Sequence, residues 1–181
     1  VAHVAVTAVG IDRPGIVAAV TRVFFEHGCN LEDSSMTILR GLFAMMLVVD
    51  APPGVGAEDL ESALAEPAAA LDLVVAVRPL ADVAGTGAVS PAGSAWAVSV
   101  YGVDHPGIVH GMADFLAREG VNITDLSTRV IGDTDRPVYA MLLEVSLPPD
   151  VDPDAFGRRL TQVAADLGVD ANLHLSDADI L

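Results

Sequence analysis

The chain contains no lysine. Its nine cations are all arginines, set against 25 acidic residues, and the formal net charge is −16 with a pI near 4.3. A surface of that sign repels phosphate backbones and anionic lipid headgroups, which argues against direct nucleic-acid binding and against an anionic membrane partner. Cysteine is nearly absent as well. Cys29 stands alone, so there is no disulfide framework and no cysteine-based zinc site, and the residue is expected to serve as a small buried hydrophobe. Long apolar runs are missing too: Gly, Pro, Asp or Arg interrupts every stretch before the roughly 18 residues a membrane span needs. The first residues, "VAHVAVTAVGIDRPG", lack the basic segment and cleavage site of a signal peptide, so a soluble, cytoplasmic protein is expected. What the chain has is core material, with 52% hydrophobic residues and a mean hydropathy of +0.50 over 181 residues, enough for one large domain or two small ones.

The organisation is a repeat. "GIDRPGIVAAV" at 10–20 returns as "GVDHPGIVHGM" at 102–112. The same offset aligns Val4, Val6 and Ala8 with Trp96, Val98 and Val100, one face of a period-two strand in each copy. Ile16, Val17, Val20, Val23 and Phe24 align with Ile108, Val109, Met112, Phe115 and Leu116, the apolar stripe of an amphipathic helix. Gly28 and Gly120 follow as helix stops, and "NLEDSS" (30–35) answers "NITDLS" (122–127). Beyond this the register slips. Copy one turns through "RGLF", whereas copy two inserts "VIGDTDRPVY" as a longer loop. The next strands, "FAMMLVVDAPP" and "YAMLLEVSLPP", each end at a double proline. Second helices follow, the first expected to be cut short by Pro67, and each copy closes on an alternating strand.

Each copy therefore reads β-α-β-β-α-β, the ferredoxin-like split arrangement of the α+β class. The expected domains are 1–80 and 96–181, joined by an Ala/Gly/Ser-rich linker over 81–95. Gly85 and Gly87 in that linker lack the third glycine and the strand-to-helix context of a dinucleotide fingerprint, and no cofactor is expected. His105 and His110 are five apart and no carboxylate cluster accompanies them, so no metal site is expected.

The repeated phrase reads as a strand-to-helix junction. Gly10 and Gly102 end the strand and let the chain turn, and Pro14 and Pro106 suit a first helical turn. Gly15 and Gly107 leave the helix N-terminus bare, where unpaired N–H groups favour an anion. Asp12 and Asp104 sit just before it. A bare helix end beside a carboxylate suits a zwitterion, carboxylate to the amides and ammonium to the aspartate. The competing reading is a plain helix cap, with Asp stabilising the helix by about 0.5–2 kcal/mol. In the second copy His105 replaces Arg13.

"DRPGIVAAVTRVFFEHGCNLED" and "DHPGIVHGMADFLAREGVNITD" resemble the opening of ACT domains, small ligand-binding regulatory modules of amino-acid metabolism. The tandem layout resembles the glycine cleavage system transcriptional repressor group, and the phrase is similar to the N-terminal regulatory domain of formyltetrahydrofolate deformylases. The resemblance implies ligand positions at Asp12, Arg13, Pro14, Gly15, Ile16 and Val17 with Asn30 and Leu31. In the second copy it implies Asp104, His105, Pro106, Gly107, Ile108 and Val109 with Asn122 and Ile123. It further implies that sites form where the loop of one ACT unit faces another unit, with sheets paired side by side.

No catalytic constellation emerges, and where the deformylases carry a catalytic domain this chain carries a second ACT-like unit. The expectation is a non-enzymatic sensor that binds a small amino acid between ACT units, pairs as a homodimer and acts through a protein partner, a transcription factor or a metabolic enzyme. The alternative is a structural interaction module without ligand, its loops reduced to caps.

Overall fold

A period-two strand commits one face to the core. Strand β1 (Ala2–Ile11) does so through Val4, Val6 and Ala8 in the computed structural model, which describes residues 2–80, 93–131 and 138–176. Helix α1 (Ile16–Glu26), strands β2 (Asn30–Leu39) and β3 (Leu42–Ala51), helix α2 (Ala57–Leu71) and strand β4 (Leu73–Pro79) complete the first unit. Strand β5 (Ser94–Gly102), helix α3 (Ile108–Arg118), strands β6 (Asn122–Ile131) and β7 (Val138–Leu147), helix α4 (Pro153–Asp166) and strand β8 (Val169–Leu175) repeat the order in the second. The sheets run β2-β3-β1-β4 and β6-β7-β5-β8, with every neighbour antiparallel. The expected α+β, tandem βαββαβ fold is the observed one, and the chain divides into units Val1–Ala88 and Val89–Leu181.

The helices cover one face of each sheet. Ile16, Val20, Val23 and Phe24 of α1 pack with Leu60 and Leu64 of α2 on the core face of β1 and β3. Ile108, Met112, Phe115 and Leu116 of α3 meet Phe156, Leu160 and Ala164 of α4, with the Phe115 and Phe156 rings stacked at 5.5 Å. Each fully buried Leu, Ile or Phe contributes about 1.5–3 kcal/mol relative to exposure. Gly28 and Gly120 both take φ +69° after their helices. There the amides of Cys29 and Val121 donate to Phe24 O and Leu116 O, each at 2.9 Å, in a Schellman closure. Both β2 and β6 carry a bulge at the same repeat position, Leu31/Asp33 and Ile123/Asp125.

Three expectations need amending. Pro67 does not shorten α2, which runs four residues further, to Leu71. Ala68 and Leu71 pack against the core, and that burial holds the turn the proline weakens. Strand β5 begins at Ser94, inside the stretch read as linker; the rest of that stretch, 81–92 with Gly85 and Gly87, lies outside the described residues, as does 132–137 of the inserted loop. Gly10 lies within β1, one residue before its end, whereas Gly102 ends β5 as expected. A Cβ at Gly10 would stand 2.6 Å from Leu73 Cδ2 and 2.8 Å from Asp72 O, and one at Gly102 would stand 2.6 Å from Val169 Cγ1. Close approach of β4 and β8 requires these glycines.

Candidate functional site

In both units the β-strand hands over to its helix through Asp-x-Pro-Gly. The N-cap is the glycine, Gly15 at φ +98° and Gly107 at φ +104°, and neither helix has a side-chain cap. A Cβ at either glycine would meet nothing within 4 Å, so backbone conformation, not lack of space, demands glycine there. Pro14 and Pro106 precede the cap instead of opening the first turn. Neither Asp12 nor Asp104 accepts a hydrogen bond from a helix amide, so neither caps its helix. The first helical bonds run from Ala19 N to Gly15 O (2.9 Å) and from Gly111 N to Gly107 O (2.8 Å), leaving the amides of the first turn without acceptors from the chain's own caps. Asp12 N donates to Gly41 O at 2.9 Å, tying the first junction to the β2–β3 hairpin.

The candidate residues fall into distinct surroundings. Asp12, Arg13, Pro14, Gly15, Asp104, His105, Pro106 and Gly107 are exposed. Ile16 and Ile108, each 2% exposed, belong to the cores and anchor the helix starts. Val17 and Val109 instead remain 43% and 39% exposed, an apolar wall beside each junction. Asn30 with Leu31, and Asn122 with Ile123, open β2 and β6. They are not brought to the junction of their own unit. Asn30 pairs across Asp50 toward His3, whereas Asp12 follows Ile11, opposite Leu42. From His3 to Ile11 the strand rises about 27 Å, so loop and Asn-Leu pair occupy opposite ends of one sheet.

The two junctions differ chemically. His105 is held by carbonyls, Nε2 at 2.8 Å from Leu167 O and Nδ1 at 3.1 Å from Pro106 O. A neutral ring donates to only one of them. The imidazole thus closes the second junction against the C-terminal end of α4. Sequence reading also missed Tyr139. It is 8% exposed and lies opposite Gly102, where the first unit has Phe43 opposite Gly10. Burial first, and then the negative charge of Asp104, push the Tyr139 phenol above its ordinary pKa, while a hydrogen bond with Thr128 works the other way. Cys29 is partly buried against the core, as expected. Burial, and secondarily the charge of Asp50, raise its thiol pKa, so it is a poor nucleophile. Two open cavities of the second unit, about 400 and 660 Å³, lie along α4 and β8, and neither is lined by Asp104 or His105.

The ACT domain family model matches residues 2–78. A UPF0237 protein of Pyrobaculum aerophilum is 36% identical over 73 residues, 40% of this chain and 81% of that protein. The chain belongs to the ACT-domain family. The glycine cleavage system transcriptional repressor of Escherichia coli is 34% identical over 76 residues, 42% of this chain and 40% of that protein. The chain spans about half the length of the first curated relatives it matches, 50% of one and 53% of another. Among solved structures, an unknown protein from Galdieria sulphuraria matches at TM-score 0.79 and 28% identity, over 97% of this chain and 98% of that one. The second ACT unit, which the family model does not span, carries the same strand order and junction geometry as the first. No helix among the described residues is long and apolar enough to cross a membrane.

Proposed function

We propose that this protein is a non-catalytic regulator whose Asp-x-Pro-Gly junctions bind a small amino acid. The observation that carries the reading is the exposed, uncapped helix start behind a left-handed glycine, beside an aspartate that caps nothing, in both units. The amides of the first turn would take the ligand's carboxylate, Asp12 or Asp104 its ammonium, and Val17 or Val109 its short side chain. Since Asn30 and Leu31 stand at the far end of the sheet, they would complete the junction of a second ACT unit, so that binding stabilises pairing of copies in a homodimer. Regulation would then run through a protein partner, a transcription factor or metabolic enzyme. The ligand would favour one paired state by a coupling energy of about 1–3 kcal/mol.

Isothermal titration with glycine, serine and alanine tests this. Saturable heat that disappears in Asp12→Ala and Asp104→Ala, and weakens in Asn30→Ala, is the expected result. Heat unaffected by all three substitutions would move the site elsewhere. No heat with any of them would leave an interaction module without these ligands.

A further inference from the structure

The face of the first sheet turned away from α1 and α2 has no partner in its own unit. By register it presents Val9, Ile11, Leu39, Leu42, Met46 and Val74, which are 37–76% exposed. A shallow groove of about 240 Å³ runs between Thr7, Val9, Ser35, Thr37, Ala44 and Met46. A chain of net charge −16 can meet a copy of itself only where its surface is nearly neutral, and this face is.

Its charges sit at one end. There His3 pairs with Glu32 at 3.0 Å, and Asp50 is half-buried. In the next row the sheet reads Asp33, Val48, Ala5, Arg78 across β2, β3, β1 and β4. Opposite charges therefore close the two edges of a single row, and among the described residues neither Asp33 nor Arg78 is in a salt bridge. A two-fold axis parallel to the strands brings Arg78 of one copy over Asp33 of the other, and the reverse, because an isologous contact repeats each pair. We propose that this face is the surface on which two copies of the chain dimerise, sheet against sheet, with reciprocal Asp33–Arg78 pairs setting the register.

Four strands about 4.8 Å apart and about 27 Å long give roughly 500 Å² of face per copy. The pair thus buries about 1,000 Å², the lower bound for a specific interface, and the dimer is weak and concentration-dependent. The inference goes beyond the proposed function: an axis parallel to the strands lays like ends of the two sheets together and keeps Asn30 of one copy about 27 Å from the junction of the other, so this pairing is distinct from the ligand-linked one and does not depend on ligand.

Sedimentation velocity across a concentration series, up to roughly 100 μM to reach a micromolar constant, tests it. Met46→Glu is expected to raise the dimer dissociation constant at least 100-fold, and Leu142→Glu, at the matching position of the second sheet, to leave it unchanged. Asp33→Arg and Arg78→Asp should each weaken the dimer about 10-fold, and the double swap should restore it. The swap decides the matter even where Met46→Glu fails to fold. Dimerisation indifferent to Met46→Glu and to both single swaps would overturn this surface while leaving the homodimer intact. A double swap no tighter than its single variants would overturn the register. A wild-type monomer throughout would overturn the surface, leaving ligand binding and ligand-linked pairing to be judged by titration.

Discussion

On the open face of the first sheet, Val48, Thr37 and Val74 hold the register positions that Glu144, Arg129 and Asp170 hold on the second. The helix-covered faces show no such divergence. Val6 and Ala8 are matched by Val98 and Val100, and Leu47 by Leu143, all at most 2% exposed. The uncapped junctions are matched as well, with φ of +98° and +104° at their glycines. Duplication has kept what the fold and the junction require and released the open faces to differ. One has become a neutral apolar surface and the other an ionised one, which fits two surfaces meeting different surroundings.

If that division is right, damage to the shared parts should be equal in the two units. The largest effect belongs to the cores. Leu64→Ala and Leu160→Ala each delete a side chain that is at most 1% exposed and should each cost about 2–5 kcal/mol in urea unfolding. A loss confined to one unit would break the equivalence. Next come the glycines. Gly15→Ala and Gly107→Ala force an L-residue into φ of +98° or +104°, at about 1–3 kcal/mol each. Near-equal melting shifts in the two variants are expected.

The unequal parts should give smaller, one-sided effects. Tyr139, with its phenol pKa raised in the fold by burial and by Asp104, favours the folded state while protonated. That contribution is complete below the ordinary phenol value of about 10 and is lost as pH climbs from there through the raised value. Tyr139→Phe, which restores the first unit's residue, should flatten the decline in melting temperature above pH ~10 and leave the neutral-pH profile unchanged. A parallel decline in both proteins would show that the phenol does not sense the junction. Smallest of all, Glu119→Gln removes the partner of Arg159 on the surface of the second unit, and the loss should stay within about 1 kcal/mol.

Much of this was legible in the residues. Repeat, strand alternation and helix stripes leave a periodic record, because each buried position must be apolar whatever its partner. Pro67 misled because the rule against helix-interior proline is local, whereas the packing of Ala68 and Leu71 is tertiary. Tyr139 could be matched to Phe43 in the repeat, but its place opposite Gly102 and under the charge of Asp104 could not be read, since it depends on the pairing of β5 with β7. The aspartates, prolines and glycines of the junction could be read off one line of text. That Asn30 stands at the other end of the sheet could not, since it depends on the course of β2 against β3. Nor could the hold of Leu167 O on His105, a contact 62 residues away in the chain.

The central claim is that the repeated junction binds a small amino acid, and a thermal-shift panel of the free amino acids tests it most directly. It would use the wild type, Asp12→Ala, Asp104→Ala and the double variant. A ligand at about 100 times its dissociation constant adds roughly 2.7 kcal/mol to folded-state stability, so one or more small amino acids should raise the wild-type melting temperature by several degrees. That rise should shrink in one or both single variants and vanish in the double. A wild-type melting temperature that no amino acid moves, or a rise that survives in the double variant, would contradict the account.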